Sequence, residues 1–212
     1  MIAIVDYDAG NTRSVVNALK RLGVEATLTS DAEVLLSADR VLFPGVGHAR
    51  SAMEALQAQG LEAPLRDIKA PFLGICLGMQ LMCAYTEEGH TTGLGIVPTK
   101  VVRFEEDASR PVPHMGWNHV ESIHPRTPQS ENPQSKNPVF NSPLFHGIST
   151  EDNVYFVHSY YAKVDEAAEV VSHYGVEFAA AIRHENYFGV QFHPEKSGEV
   201  GLKILQNFLD LR

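Results

Sequence analysis

Clusters of lysine and arginine are missing from this chain, which carries 17 basic against 26 acidic residues and a formal net charge of −9. A nucleic-acid or anionic-membrane surface needs such clusters to meet phosphate, so the composition argues against both partners. Long apolar runs are missing too. The stretch "IAIV" before Asp6 is too short for a signal-peptide core or a membrane span, and a cytoplasmic protein is expected. Cysteine is scarce: Cys76 and Cys83 make neither a zinc pattern nor a disulfide framework, which fits a reducing compartment and free thiols. His114, His119 and His124 recur every five residues without helical or ligand spacing, so they read as loop or strand histidines and no metal site is expected.

What is present is one repeated pattern over the first hundred residues: a short β-branched run, a polar or glycine turn, then apolar residues at helical spacing. "IAIV" precedes "NTRSVVNALKRLG", where Val15, Val16, Leu19 and Leu22 form a stripe, Asn11 or Thr12 can cap the start and Gly23 can close the end. "VEATL", "RVLFPGVG" and "PFLGI" each lead into a similar segment, the last into "CLGMQLMCAY" with Cys83 on the helix body. Such alternation indicates βαβ units, an α/β fold with a mainly parallel, helix-covered sheet. From Val97 six strand-like segments follow, an antiparallel excursion, before "GEVGLKILQNFLDL" returns as a helix with Val200, Ile204, Leu205 and Phe208 on one face. With 212 residues and 44% hydrophobic content, one domain is expected over 1–212. The segment 125–140, built around "TPQSENPQSKNP", has too little apolar surface to offset ordering entropy and is expected to be a flexible loop insertion.

Cys76 stands in "GICLG", the G-x-nucleophile-x-G form of a strand-to-helix elbow. The tight turn needs small residues on both sides, and the start of a helix favours thiolate. Alone, the elbow weighs evenly against a buried structural cysteine; for Cys83 the structural reading stands. A thiolate needs a nearby acid/base, and "VQFHPEKS" offers one: Pro194 biases His193 toward extended backbone, and residues two apart then share a side, bringing Glu195 to the His193 ring. The loop "FPGVG" has no phosphate-binding continuation and suits a bare backbone strip close to a ligand. Asp6 and Asp8 read as strand-end loop residues.

"GICLGMQ", "FPGVG" and "HPEKS", with Cys76, His193 and Glu195 in that order, resemble a class I (triad) glutamine amidotransferase. "NTRSVVNALKRLG", "PHMGWN" and the lysine after His-Pro-Glu resemble one branch, the glutaminase subunits of imidazole glycerol phosphate synthase in histidine biosynthesis. The resemblance spans nearly the whole chain and departs at the 125–140 loop. It implies the flavodoxin-like sheet of that family, with Cys76 as nucleophile, His193 as acid/base and Glu195 orienting it. Backbone N–H groups of Leu77 and of Val46 or Gly47 would hold the oxyanion, while Gly45, Gln80, Ser159 and Tyr160 would line the pocket for the substrate, glutamine. The resemblance also implies a heterodimer with the cyclase subunit, a barrel that receives the ammonia, with Asn11, Trp117 and Lys196 at the interface and no cofactor in this chain. Trp117 could equally be a core aromatic. Glutaminases of pyridoxal phosphate synthase or anthranilate synthase share the triad and remain rivals, as does a non-catalytic module with Cys76 as a redox sensor.

Overall fold

The computed structural model describes residues 1–8, 11–106, 110–123 and 140–211. The expected loop at 125–140 lies outside them except for Phe140, as does His124. The first half runs β1 (Ile2–Val5), α1 (Thr12–Arg21), β2 (Thr27–Thr29), α2 (Ala32–Ser37), β3 (Arg40–Gly45), α3 (Ala49–Ala58), α4 (Glu62–Asp67), β4 (Phe72–Cys76) and α5 (Leu77–Met82). Then come β5 (Cys83–Thr86), β6 (Thr91–Thr92), β7 (Val97–Arg103), β8 (His114–His119), β9 (Glu121–Ser122), β10 (Asn153–His158), β11 (Tyr160–Ala162), β12 (Ala168–His173), β13 (Glu177–His184), β14 (Tyr187–Val190) and α6 (Gly198–Leu209).

The main sheet has the order β2-β1-β3-β4-β14-β13-β12-β9. Its pairings from β2 through β14 are parallel and those from β14 to β9 antiparallel. The expected α/β sheet with an antiparallel excursion is therefore what forms. Two smaller sheets, β10-β8 and β11-β7-β5-β6, flank it.

Strand alternation explains why the parallel strands read as unbroken apolar runs. Ala3, Val5, Val41, Phe43 and Phe72 belong to one core with the buried residues of α2, α3, α4 and α5. Ile4, Leu42, Leu73 and Ile75 belong to the other, with Val15 and Leu19 of α1 and Ile204, Leu205 and Phe208 of α6. A strand buried on both faces has no polar side to show.

Local signals worked unevenly. Gly23 closes α1 in left-handed backbone (φ 74°), and Val24 N–H reaches back to the Leu19 carbonyl at 3.0 Å. Asn11 occupies the cap position but makes no side-chain cap bond. The short helix α4, with Leu65 buried, carries no stripe long enough to have been read. Cys83 corrects an expectation: α5 ends at Met82, and Cys83 opens β5 instead of sitting on a helix body. Its partners on β7 decide this, because Cys83 pairs with Val97 and Thr86 with Val101 across residues distant in sequence. The structural reading of Cys83 stands, as the thiol is fully buried and donates to the Met79 carbonyl at 3.6 Å.

Candidate active site

Neighbouring parallel strands β3, β4 and β14 end side by side, and the candidate site residues lie at their carboxyl ends. In open α/β sheets this edge is where ligands bind. Gly45 of β3 pairs with Cys76 of β4, and β14 leads within three residues to His193.

Cys76 has φ 53° and ψ −109°, a backbone conformation that costs a non-glycine residue roughly 1–3 kcal/mol. What holds it there is the packing of its neighbours. A Cβ on Gly78 would overlap the Phe43 carbonyl oxygen, and one on Gly74 would lie 2.9 Å from the Met79 nitrogen. The two glycines let the first turn of α5 sit directly on β3 and β4, so Cys76 is held at the end of the sheet.

His193 is buried and donates from Nδ1 to Glu195 Oε1 at 2.9 Å, with both side chains 2% exposed. The contact is the expected one, and His193 has the extended backbone expected before a proline (φ −101°, ψ 95°). The chain does not stay extended beyond it: Pro194 starts a 3-10 turn over Pro194–Lys196, and that turn brings Glu195 to the ring. With Nδ1 protonated toward the carboxylate, Nε2 is left for the reacting groups; it is buried and has no hydrogen-bond partner. Burial alone would lower the His193 pKa, but Cys76 and Glu195 outweigh it and raise it to about 9. His193 is therefore protonated at neutral pH when Cys76 is ionised beside it.

These residues border a cavity of about 300 Å³, the low end for a small-molecule site. Of the expected site residues, Val46, Gly47, Cys76, Leu77, Gln80, Ser159, Tyr160, His193 and Lys196 line it. Gly45 lies behind the wall, where an added Cβ would come within 2.7 Å of the Tyr7 hydroxyl and the Gly78 nitrogen. Glu195 sits behind His193. Asn11 precedes α1, away from the cavity lining. Trp117 is not a core aromatic: it is 56% exposed on β8, edge-on to Tyr155. Asp6 and Asp8 stay together in the loop after β1, where Asp8 N–H reaches Asp6 Oδ1.

Some residues at this site went unread. Glu88 lines the cavity while its Oε2 accepts the Ala49 N–H at 2.7 Å; nothing in "TEEGHT" distinguishes it from a solvated acidic turn. Gln191 is fully buried beside Cys76, although "VQFHPEKS" showed it two residues before His193. His114 had read as a loop or strand histidine without a role. It is buried on β8 against His158 of β10, Nδ1 to Nε2 at 3.0 Å, while His158 Nδ1 donates to the Tyr160 carbonyl at 2.8 Å. Among the described residues no group of three His, Cys, Asp or Glu side chains could hold a metal ion.

Burial lowers the pKa of His114 to about 4 and that of His158 to about 3, the latter with help from the charge of His114 and His193. The native state thus refuses protons that the unfolded chain takes up near pH 6.5, so this contribution is present above pH 6.5 and lost as pH falls toward 4. His193 acts in the opposite sense, contributing below pH 6.5 and losing its share as pH rises through about 9. Stability is therefore expected to peak near neutrality. At pH 5 the histidine pair should have cost roughly 4 kcal/mol, read as a lower melting temperature that His114→Phe with His158→Leu flattens.

Residues 3–211 match the family described as glutamine amidotransferase class-I. Imidazole glycerol phosphate synthase subunit HisH of Bacteroides fragilis (strain YCH46) is 46% identical over 211 residues, covering 99% of both chains. The subunit of the same name from Idiomarina loihiensis is 44% identical over 99% of this chain and 97% of its own. Among solved structures, a glutamine amidotransferase superposes with a TM-score of 0.71 at 19% identity, over 99% of this chain and 98% of that one. PurLQS from Thermotoga maritima does so with 0.65 at 20%, over 99% and 97%. At such identities the two structures speak for the fold alone.

Proposed function

This chain belongs to the glutamine amidotransferase class-I family, and from that premise we propose that it is the glutaminase subunit of imidazole glycerol phosphate synthase in histidine biosynthesis. The observation that carries this reading is identity of 46% along essentially the whole chain to a subunit of that name. The chemistry follows from the cavity.

Glutamine enters with its side-chain amide carbon against Cys76. The thiolate attacks, and the oxyanion takes the Leu77 N–H and one from Val46 or Gly47, each such donor contributing roughly 3 kcal/mol. The Gly47 φ of 101° gives that loop a backbone most residues resist. Protonated His193 hands its Nε2 proton to the leaving nitrogen, so ammonia departs and a thioester remains. The neutral ring then takes a proton from water, which attacks the thioester and releases glutamate. Glu195 keeps the ring oriented throughout. Gln80, Ser159 and the Tyr160 backbone line the substrate, and the Glu88 carboxylate suits its α-ammonium.

Ammonium, the dominant form in neutral water, is not a nucleophile, so the product must reach its acceptor without meeting solvent. A cyclase subunit closing over the cavity as a heterodimer supplies that shelter. Exposed Trp117 and Met115 on β8, Asn11 and the Lys196 rim are the surface assigned to it. The test is glutamate release by the purified chain, alone and with a cyclase subunit carrying its ribonucleotide ligand. A strong rise with that partner is expected; a rise only with a different synthase would keep the triad and overturn the pathway.

A further inference from the structure

A chain of oriented hydrogen bonds ends on the nucleophile, and its last member has no part in the triad. Gln191 follows Val190, which pairs with Ile75 of β4, and its side chain is fully buried next to Cys76. A buried primary amide must place one oxygen and two N–H groups. Its Oε1 lies 2.9 Å from Gln80 Nε2, and its Nε2 lies 3.8 Å from Cys76 Sγ.

Which end faces the sulfur is dictated from outside. The Tyr160 carbonyl oxygen can only accept, so Gln80 presents Nε2 to it, at 2.8 Å. The second hydrogen of that nitrogen points to Gln191, which must answer with oxygen. Its own nitrogen is thereby turned to the sulfur. Rotating either amide by half a turn would set oxygen against oxygen or N–H against N–H. His158 donates to the same Tyr160 carbonyl and accepts from His114, so the polarity is consistent back to the β8–β10 ribbon.

We propose that Gln191 is a further catalytic residue, whose side-chain N–H donates to Cys76 Sγ and stabilises the thiolate. The proposal rests on the glutaminase reading for its purpose, although not for its test. A hydrogen bond to the ionised form favours that form, and a sulfur anion accepts at longer range than oxygen. The other groups facing Cys76 divide. His193 after β14 and Lys196 on the rim favour thiolate; Glu195 behind His193 and Glu88 across the cavity oppose it. Tyr7, beyond β1, donates to the Pro44 carbonyl and is held neutral by burial and the Cys76 charge, and His158 is held neutral by its burial. None of these supplies a neutral donor fixed in orientation.

The test follows alkylation of Cys76 by iodoacetamide against pH, with the site read by tandem mass spectrometry. Gln191→Met keeps the volume and removes the donor; the midpoint of the alkylation rate should rise by about one pH unit, and kcat at pH 7 should fall about tenfold with KM little changed. Gln191→Glu keeps the oxygen that Gln80 needs and sets a carboxylate against sulfur, so its midpoint should rise further. Unchanged midpoints in folded variants overturn the proposal. Should both variants fail to fold, the wild-type protein decides: the Gln191 side-chain amide resonance must shift as Cys76 ionises, and an amide that does not respond overturns it. Alkylation needs no glutamine, so a wild type that turns over no glutamine with any synthase defeats the glutaminase reading while leaving the role of Gln191 to be decided by the midpoints.

Discussion

Cys76→Ala is expected to reduce glutamate release to background while leaving the protein folded. Losing the nucleophile from a comparable triad costs on the order of 10⁶-fold in kcat, because the remaining groups act through the atom that is gone. The fold should tolerate the change. The residue is 7% exposed at the cavity, and its sulfur lies 3.9 Å from the Val157 carbonyl and 3.8 Å from Gln191 Nε2, long contacts whose loss costs little. Removing one sulfur there should cost about 1 kcal/mol. The strained backbone stays, since alanine resists φ 53° as cysteine does and the Gly74 and Gly78 contacts still impose it. Cys83→Ala is the control. That thiol is equally lost to stability but lies on β5 outside the cavity lining, so turnover should survive. Glutaminase activity that persists in Cys76→Ala would refute the nucleophile, and activity lost in Cys83→Ala would mean that the two cysteines had been assigned the wrong way round.

The contrast between the two cysteines also shows what the sequence could carry. Cys76 was legible because its evidence is local: two glycines at fixed offsets, an apolar run before and a helix start after. His193 and Glu195 were legible because they are neighbours in the chain and Pro194 keeps His193 extended, even though a 3-10 turn follows from Pro194 to Lys196. The parallel strands were legible because burial on both faces leaves continuous apolar runs. Cys83 was misplaced because α5 is stopped by pairing with β7, a contact with no local signature. The histidine pair is the same case, as His114 meets His158 only through β8–β10 pairing across 44 residues. Gln191 and Glu88 acquire meaning only once β14 and the turn after β5 are seen around one cavity. Sequence reports what neighbours do; it is silent where the fold brings strangers together.

His193→Ala should cut kcat/KM by at least about 10²-fold, and the way it fails should differ from the failure of Cys76→Ala. Without the imidazole the thiol keeps its place and still alkylates, but no buried acid remains to protonate departing ammonia, so the tetrahedral adduct returns to glutamine. The Glu195 carboxylate would be left without its partner in a buried site, so Glu195→Gln isolates the electrostatic share more gently. In the wild type, the Cys76 and Glu195 charges hold the His193 pKa at about 9 against burial. A general acid is then available below that pH and lost above it, which places the alkaline limb of kcat/KM near pH 9. Removing the Glu195 charge removes one of the influences that raise the pKa, so the limb must move to lower pH in Glu195→Gln. A limb that stays in place would mean that Glu195 orients the ring without tuning it. If His193→Ala instead keeps turnover within tenfold of wild type, the leaving nitrogen is protonated from elsewhere, and the triad would reduce to a cysteine in an oxyanion site.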